Sequence, residues 1–147
     1  MAYQYKFDKI LHVKEKEKGD CLAAYQTSVQ KFEEAAETLY EFLKKKEDLE
    51  SYQSSKLSSG LAVQEIRHHQ QFISNLQNSI EYYQKMVINA RNRMNHYQEK
   101  LIESNVEVQK YVKMKEKDFL HYLNGIKFQE AKQMDDVSIQ VFMNRGI

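Results

Sequence analysis

The stretch IRHHQQFISNLQNSIEYYQKMVINARNRMNHYQEKLIESNVEVQKY, residues 66–111, decides the fold. Along it a stripe recurs at alternating steps of three and four: Ile66, His69, Ile73, Leu76, Ile80, Tyr83, Val87, Ala90, Met94, Tyr97, Leu101, Ser104, Val108 and Tyr111. Only His69 and Ser104 in that series are polar. A spacing averaging about 3.5 residues keeps one narrow seam turned toward a partner helix, which is the condition for a coiled coil. Such a chain offers a surface rather than a cavity, so binding is expected of it before chemistry.

Outward from this seam, the first half of the chain carries a complementary one. Phe7, Leu11, Lys14, Lys18, Cys21, Tyr25, Ser28, Phe32, Ala35, Leu39, Phe42, Lys46, Leu49 and Gln53 follow the same three-four rule with more polar members. Beside it runs a further column, Leu22, Val29, Ala36 and Leu43, each seven residues from the next. That column widens the apolar face beyond a minimal two-stranded seam and serves either asymmetric packing or docking. Between the two seams lies Ser58-Ser59-Gly60, a helix-stopping cluster whose shortness forces the flanking helices to run antiparallel.

The expected fold is therefore all-α, a single coiled-coil domain over residues 1–147. Helix one spans about 3–57, the turn 58–61 and helix two about 62–124. At 1.5 Å per residue each helix would be roughly 80 to 95 Å long. Pairing about Gly60 puts Phe7 opposite a residue between Val108 and Lys115, and the seam turns polar at Lys115 and Asp118. Helix two thus overhangs helix one. Asn124-Gly125 reads as a break, and residues 126–144, with Met134, Val137, Val141 and Phe142, read as a tail helix or a disordered segment.

Composition agrees. There is no Pro, no Trp and only four Gly, a mixture that favours long helices. Charged residues make up 29% with a formal net charge of +1, so acid and base are interspersed and no nucleic-acid footprint is expected. Cys21 is the single cysteine, which excludes an intrachain disulfide and suits a reducing compartment. Met1 to Lys18 is dense in Lys and Glu, unlike a secretory leader, and no long apolar run spans a membrane; a cytosolic protein is expected.

No catalytic constellation stands out. Glu65 and His68 have the i, i+3 spacing of di-iron bundles, but such sites need a second pair and further inward carboxylates. Asp118 and His121 are the nearest imitation, far along the chain. No Gly-rich phosphate loop, nucleophile elbow or cysteine pair is present, so no enzyme activity, cofactor, metal or small-molecule substrate is expected. His69 would form a polar seam layer that helps fix register. Lys14, Lys16 and Lys18, with Lys113, Lys115 and Lys117, come to one end of the hairpin, as a solvated salt-bridged end or as a basic collar for an acidic hole. Off the seam, Phe72 follows Gln70 and Gln71 and stands on one column with Met86; Tyr82, Ile88, Ile102 and Val106 are also off-seam. A large aromatic so placed is a candidate binding anchor.

Gln70-Gln71-Phe72-Ile73, followed by Leu76 and Ile80, resembles the central signature of the FliJ family of the bacterial flagellar type III export apparatus. Tyr5-Lys6-Phe7-Asp8-Lys9-Ile10-Leu11 resembles that family's N-terminus, and Met134-Asp135-Asp136 its C-terminal pattern of an apolar residue before two acids. The resemblance covers essentially the whole chain. It implies a non-enzymatic, central-stalk-like partner whose paired ends enter the hexameric ring of the export ATPase FliI and promote its assembly and activity. It also implies contact with the export gate protein FlhA and with export chaperones, and recruitment to the cytoplasmic face of the membrane at the flagellar base. Matched by motif, Gln71, Phe72, Leu76, Ser79 and Tyr83 would face the gate. Phe7, Leu11, Met134, Asp135, Asp136 and Val137 would contact the ATPase ring. Ser79 departs from the small apolar residue frequent in the family, Tyr83 is unusually bulky, and Leu76 and Tyr83 are also seam positions. The alternative reading is a generic scaffold that homodimerises through the Leu22, Val29, Ala36 and Leu43 column.

Overall fold

A computed structural model describes residues 3–60 and 62–145. Two long helices, α1 (Asp8–Leu57) and α2 (Val63–Arg145), pack against each other as an antiparallel hairpin, with no strand among the described residues. Contacts divide the chain into a turn unit, Asp20–Ile102, and a terminal unit, Met1–Gly19 with Glu103–Ile147.

In the turn unit both seams are covered. From Ile66 to Leu101 and from Cys21 to Gln53, every residue of the two three-four series is buried or half-buried; Ile80 is 2% exposed and Leu76 6%. Register shows in three pairs. The Phe42 and Tyr83 rings stack at 5.3 Å, Lys46 Nζ donates to Gln77 Oε1 at 2.6 Å, and the Arg91 guanidinium lies 5.9 Å from the Phe32 ring. Stepping two heptads from Lys46 to Phe32 moves the opposite residue two heptads from Gln77 to Arg91, as an antiparallel seam requires. His69 meets the Tyr52 ring at 5.7 Å, and its buried Nδ1 has no hydrogen-bond partner among the described residues.

The turn closes through its own residues. Ser58 Oγ donates to Ser55 O at 2.7 Å and Ser59 N to Lys56 O at 3.1 Å, using carbonyls left over at the end of α1. Gly60 then takes φ +86°, a left-handed conformation in which a side chain would be strained. Of the expected turn 58–61, Leu61 lies outside the described residues.

The terminal unit differs from the sequence reading at two points. Helix one begins at Asp8, not Tyr3. Tyr3, Tyr5 and Phe7 alternate with polar residues, an extended-chain period, and Asp8 supplies the acidic residue that favours the first helical turn. The second difference is at Asn124-Gly125, where α2 continues unbroken to Arg145. One interior glycine costs only about 1 kcal/mol relative to alanine, and the Lys, Gln, Glu, Ala and Met that follow are good helix formers. As expected, α2 outruns its partner: from Lys127 onward every described residue is exposed.

Candidate interaction surfaces

Three aromatics of the segment before α1, Tyr3, Tyr5 and Phe7, assemble the base of the overhang. Tyr3 packs edge-on to Phe119 at 5.0 Å and against Tyr122 at 5.2 Å, while its hydroxyl donates to Asp118 Oδ2 at 2.8 Å. Tyr5 is 8% exposed and donates its hydroxyl to the Tyr111 carbonyl at 3.2 Å. Lys115 Nζ reaches Asp8 Oδ1 at 3.0 Å and lies 6.0 Å from the Tyr5 ring. Desolvation, then the hydrogen bond to Asp118, push the Tyr3 phenol up to about 12. Desolvation and the Asp118 charge raise Tyr5 as well. Phe7, Leu11, Val108, Tyr111 and Val112 complete the cluster. The polar seam residues Lys115 and Asp118 are therefore anchors for the non-helical segment 3–7. Sequence periodicity marked them merely as the point where the seam stops.

Of the residues matched to the ATPase ring, Leu11 is 5% exposed and Phe7 half-buried in this cluster. Met134 is 72% and Val137 58% exposed, with Asp135 and Asp136 exposed beside them. They stand on the overhanging part of α2 with Phe128 and Phe142, in a stretch that no other described residue covers. The lysine clusters lie in the same unit, where Lys14 pairs with Glu17 at 3.5 Å.

The gate-matched residues all fall in the turn unit. Phe72 is 53% exposed and Gln71 exposed, Ser79 and Tyr83 are half-covered, and Leu76 is buried in the seam. Leu76 thus supports the surface from beneath, while Phe72 and Gln71 present it. On the same flank a groove of about 650 Å³ opens between the helices, lined by Ala24, Ser28 and Ala35 of α1 and by Tyr83, Met86 and Ala90 of α2. The small seam residues Ser28, Ala35 and Ala90 leave that space, although their three-four spacing is that of ordinary seam members. Lys31, Glu34 and Arg93 rim it.

Glu65 with His68, and Asp118 with His121, are exposed and lie in different units. Among the described residues no three His, Cys, Asp or Glu side chains gather as a metal site would need, and no helix is long and apolar enough to cross a membrane.

The family described as "Flagellar FliJ protein" matches residues 3–146. The chain is 53% identical over 146 residues to a Bacillus subtilis (strain 168) protein named "Flagellar FliJ protein", covering 99% of each. No solved structure matches the chain.

Proposed function

The chain belongs to the flagellar FliJ family, and on that premise we propose that it is a non-enzymatic component of the flagellar type III export apparatus, a central-stalk-like partner of the export ATPase ring. The observation that carries this is the terminal unit. There α2 runs on as a helix exposed on all sides, bearing Met134, Val137 and Phe142, from a base fixed by Tyr3 and Tyr5. A free helix with exposed apolar residues gains most from insertion into a hole, as an isolated helix draws its stability chiefly from tertiary packing. An asymmetric shaft biases a ring toward one arrangement through unequal contacts with its subunits. In this way it would raise the activity of FliI and favour its assembly. Phe72 and Gln71, in the turn unit, would meet the gate protein FlhA, with export chaperones as further partners. The protein would work in the cytoplasm, recruited to the membrane at the flagellar base.

Substoichiometric full-length chain added to purified export ATPase should raise hydrolysis and shift the ATPase to larger oligomers, and a chain ending at Asn124 should do neither. No change with full-length chain would refute the shaft. Phe72→Asp should lose binding to the gate's cytoplasmic domain while keeping helicity and ATPase stimulation. Loss of both activities together would make Phe72 a structural residue instead.

A further inference from the structure

The two flanks of the turn unit differ in chemistry. The Phe72 flank is charged along α1, where Lys31 and Lys45 stand at the heptad positions beside the Phe72, Ser79, Met86 and Arg93 column of α2. The opposite flank carries Leu22, Val29, Ala36 and Leu43 from α1, a run with no charge in a chain that is 29% charged. Next to it α2 contributes Gln70, Gln77, Gln84, Arg91 and Gln98, one residue per heptad. Its single cation lies over the Phe32 ring. Leu22 and Leu43 are each 42% exposed, Ile88 58%, Ile102 57% and Tyr40 64%, all on this side of the hairpin by heptad position. Solvated coiled-coil flanks ordinarily carry Glu and Lys at the positions beside the seam, and the column from Leu22 to Leu43 carries neither; apart from Arg91, charge enters this side one column further out, at Glu33, Glu47 and Glu81.

We infer that this flank is the contact for a second copy of the chain, packed antiparallel about a two-fold axis at the level of Phe32 and Arg91. Side-chain sizes select that occupant. A two-fold contact must complement itself, residue i meeting j and j meeting i. The order Leu22, Val29, Ala36, Leu43 reads large, small, small, large. Reversed on itself, Leu22 meets Leu43 of the other copy and Val29 meets Ala36, so the bulky ends close over a tight centre. Charge agrees with this axis. Glu33 follows Phe32, over whose ring Arg91 lies, so the central layer of the dimer would gather two carboxylates and two guanidiniums with no net charge.

Size sets the strength. Leu22 to Leu43 spans about 32 Å of helix, and two helices side by side are roughly 20 Å wide. That gives about 600 Å² per copy and about 1,200 Å² in all, the lower edge for a specific interface. The dimer is therefore weak, forming at micromolar concentration and dissociating on dilution. It uses the flank opposite Phe72, independent of the ATPase and gate contacts.

The test is sedimentation equilibrium of the full-length chain alone, from sub-micromolar to a few hundred micromolar. Circular dichroism serves as the control for folding. The mass should rise from 17.5 kDa toward twice that value. Leu22→Lys and Leu43→Glu should each weaken association by more than about tenfold, since a two-fold contact loses each leucine twice. The double variant, carrying both substitutions on one chain, should regain most of the loss, because the antiparallel axis sets each introduced ammonium against an introduced carboxylate. A monomer at every concentration overturns the inference and leaves the flank to another protein's helix. Dimerisation insensitive to Leu22→Lys, or a double variant no better than the singles, overturns it equally.

Discussion

Replacing Ile80 by alanine tests the seam most directly. Ile80 is 2% exposed, at the centre of the turn unit's packing. The substitution removes three carbons, about 2.4 kcal/mol of lost burial at roughly 0.8 kcal/mol per methylene. A residual cavity adds to this, but a two-helix seam has solvent at both flanks and closes more readily than a globular core. A total of about 3 kcal/mol is expected, within the range for such truncations. The matched control is Ile102→Ala, chemically the same change at a side chain 57% exposed, which should cost less than about 0.5 kcal/mol. Both gain the same small helix propensity, so their difference isolates burial. Urea unfolding followed at 222 nm, at sub-micromolar concentration, should show a lower midpoint for Ile80→Ala with unchanged slope. On heating, its melting temperature should fall by about 6 to 12 °C at roughly 2 to 4 °C per kcal/mol. Equal losses for the two variants would mean that the 66–111 stripe does not face α1 as described.

Alkaline pH should loosen the terminal unit before the rest. Tyr3 holds its proton in the folded chain up to about 12, whereas an unfolded tyrosine releases it at about 10. Above pH 10 the unfolded state therefore binds fewer protons, and stability is lost as pH rises from 10 toward 12. Phenolate absorbance should show late titration from Tyr3 and Tyr5, with the Tyr3 component disappearing in Tyr3→Phe and both moving earlier in Asp118→Asn. Gly125→Ala should raise ellipticity and slow amide exchange in the following residues, gaining up to about 1 kcal/mol, because a β-carbon there meets open space within a continuous helix; no gain would point to a break at that position. Gly60→Ala should destabilise by about 1 kcal/mol through backbone strain alone, since its φ is +86° and no atom of the described residues crowds the site.

The hairpin was legible in the sequence because a seam of fixed period reports burial one residue at a time. Both three-four series came out covered, even at Lys46, Ser28 and His69, whose polarity argued against it. The segment before α1 was not legible. Phe7 belongs at once to the heptad and to an alternating extended segment, and local pattern does not say which period wins. The partners that decide it, Asp118 and Phe119, are more than a hundred residues away. Gly125 misled for the opposite reason: a glycine signals a helix end only when something else competes for the backbone, and nothing there does. The groove beside Tyr83 was hidden because a stripe count records which residues face inward, not how much space they fill.

The tyrosine clamp has a kinetic consequence. Lys46 and Gln77 are 31 residues apart in sequence, but Tyr3 and Asp118 are 115 apart. Closing a long flexible loop outright costs configurational entropy that grows with the logarithm of its length. The clamp avoids most of that cost only if the hairpin zips from Gly60, each heptad shortening the loop left for the next. Tyr3 and Tyr5 are then the last side chains to dock in folding and the first to leave in unfolding. Within the paired part of the hairpin, amide exchange should accordingly grade from slowest near Ile80 to fastest where the chain's beginning meets α2. The clamp at the base of the segment proposed to enter a partner's ring is thus the part of the hairpin whose opening costs the protein least.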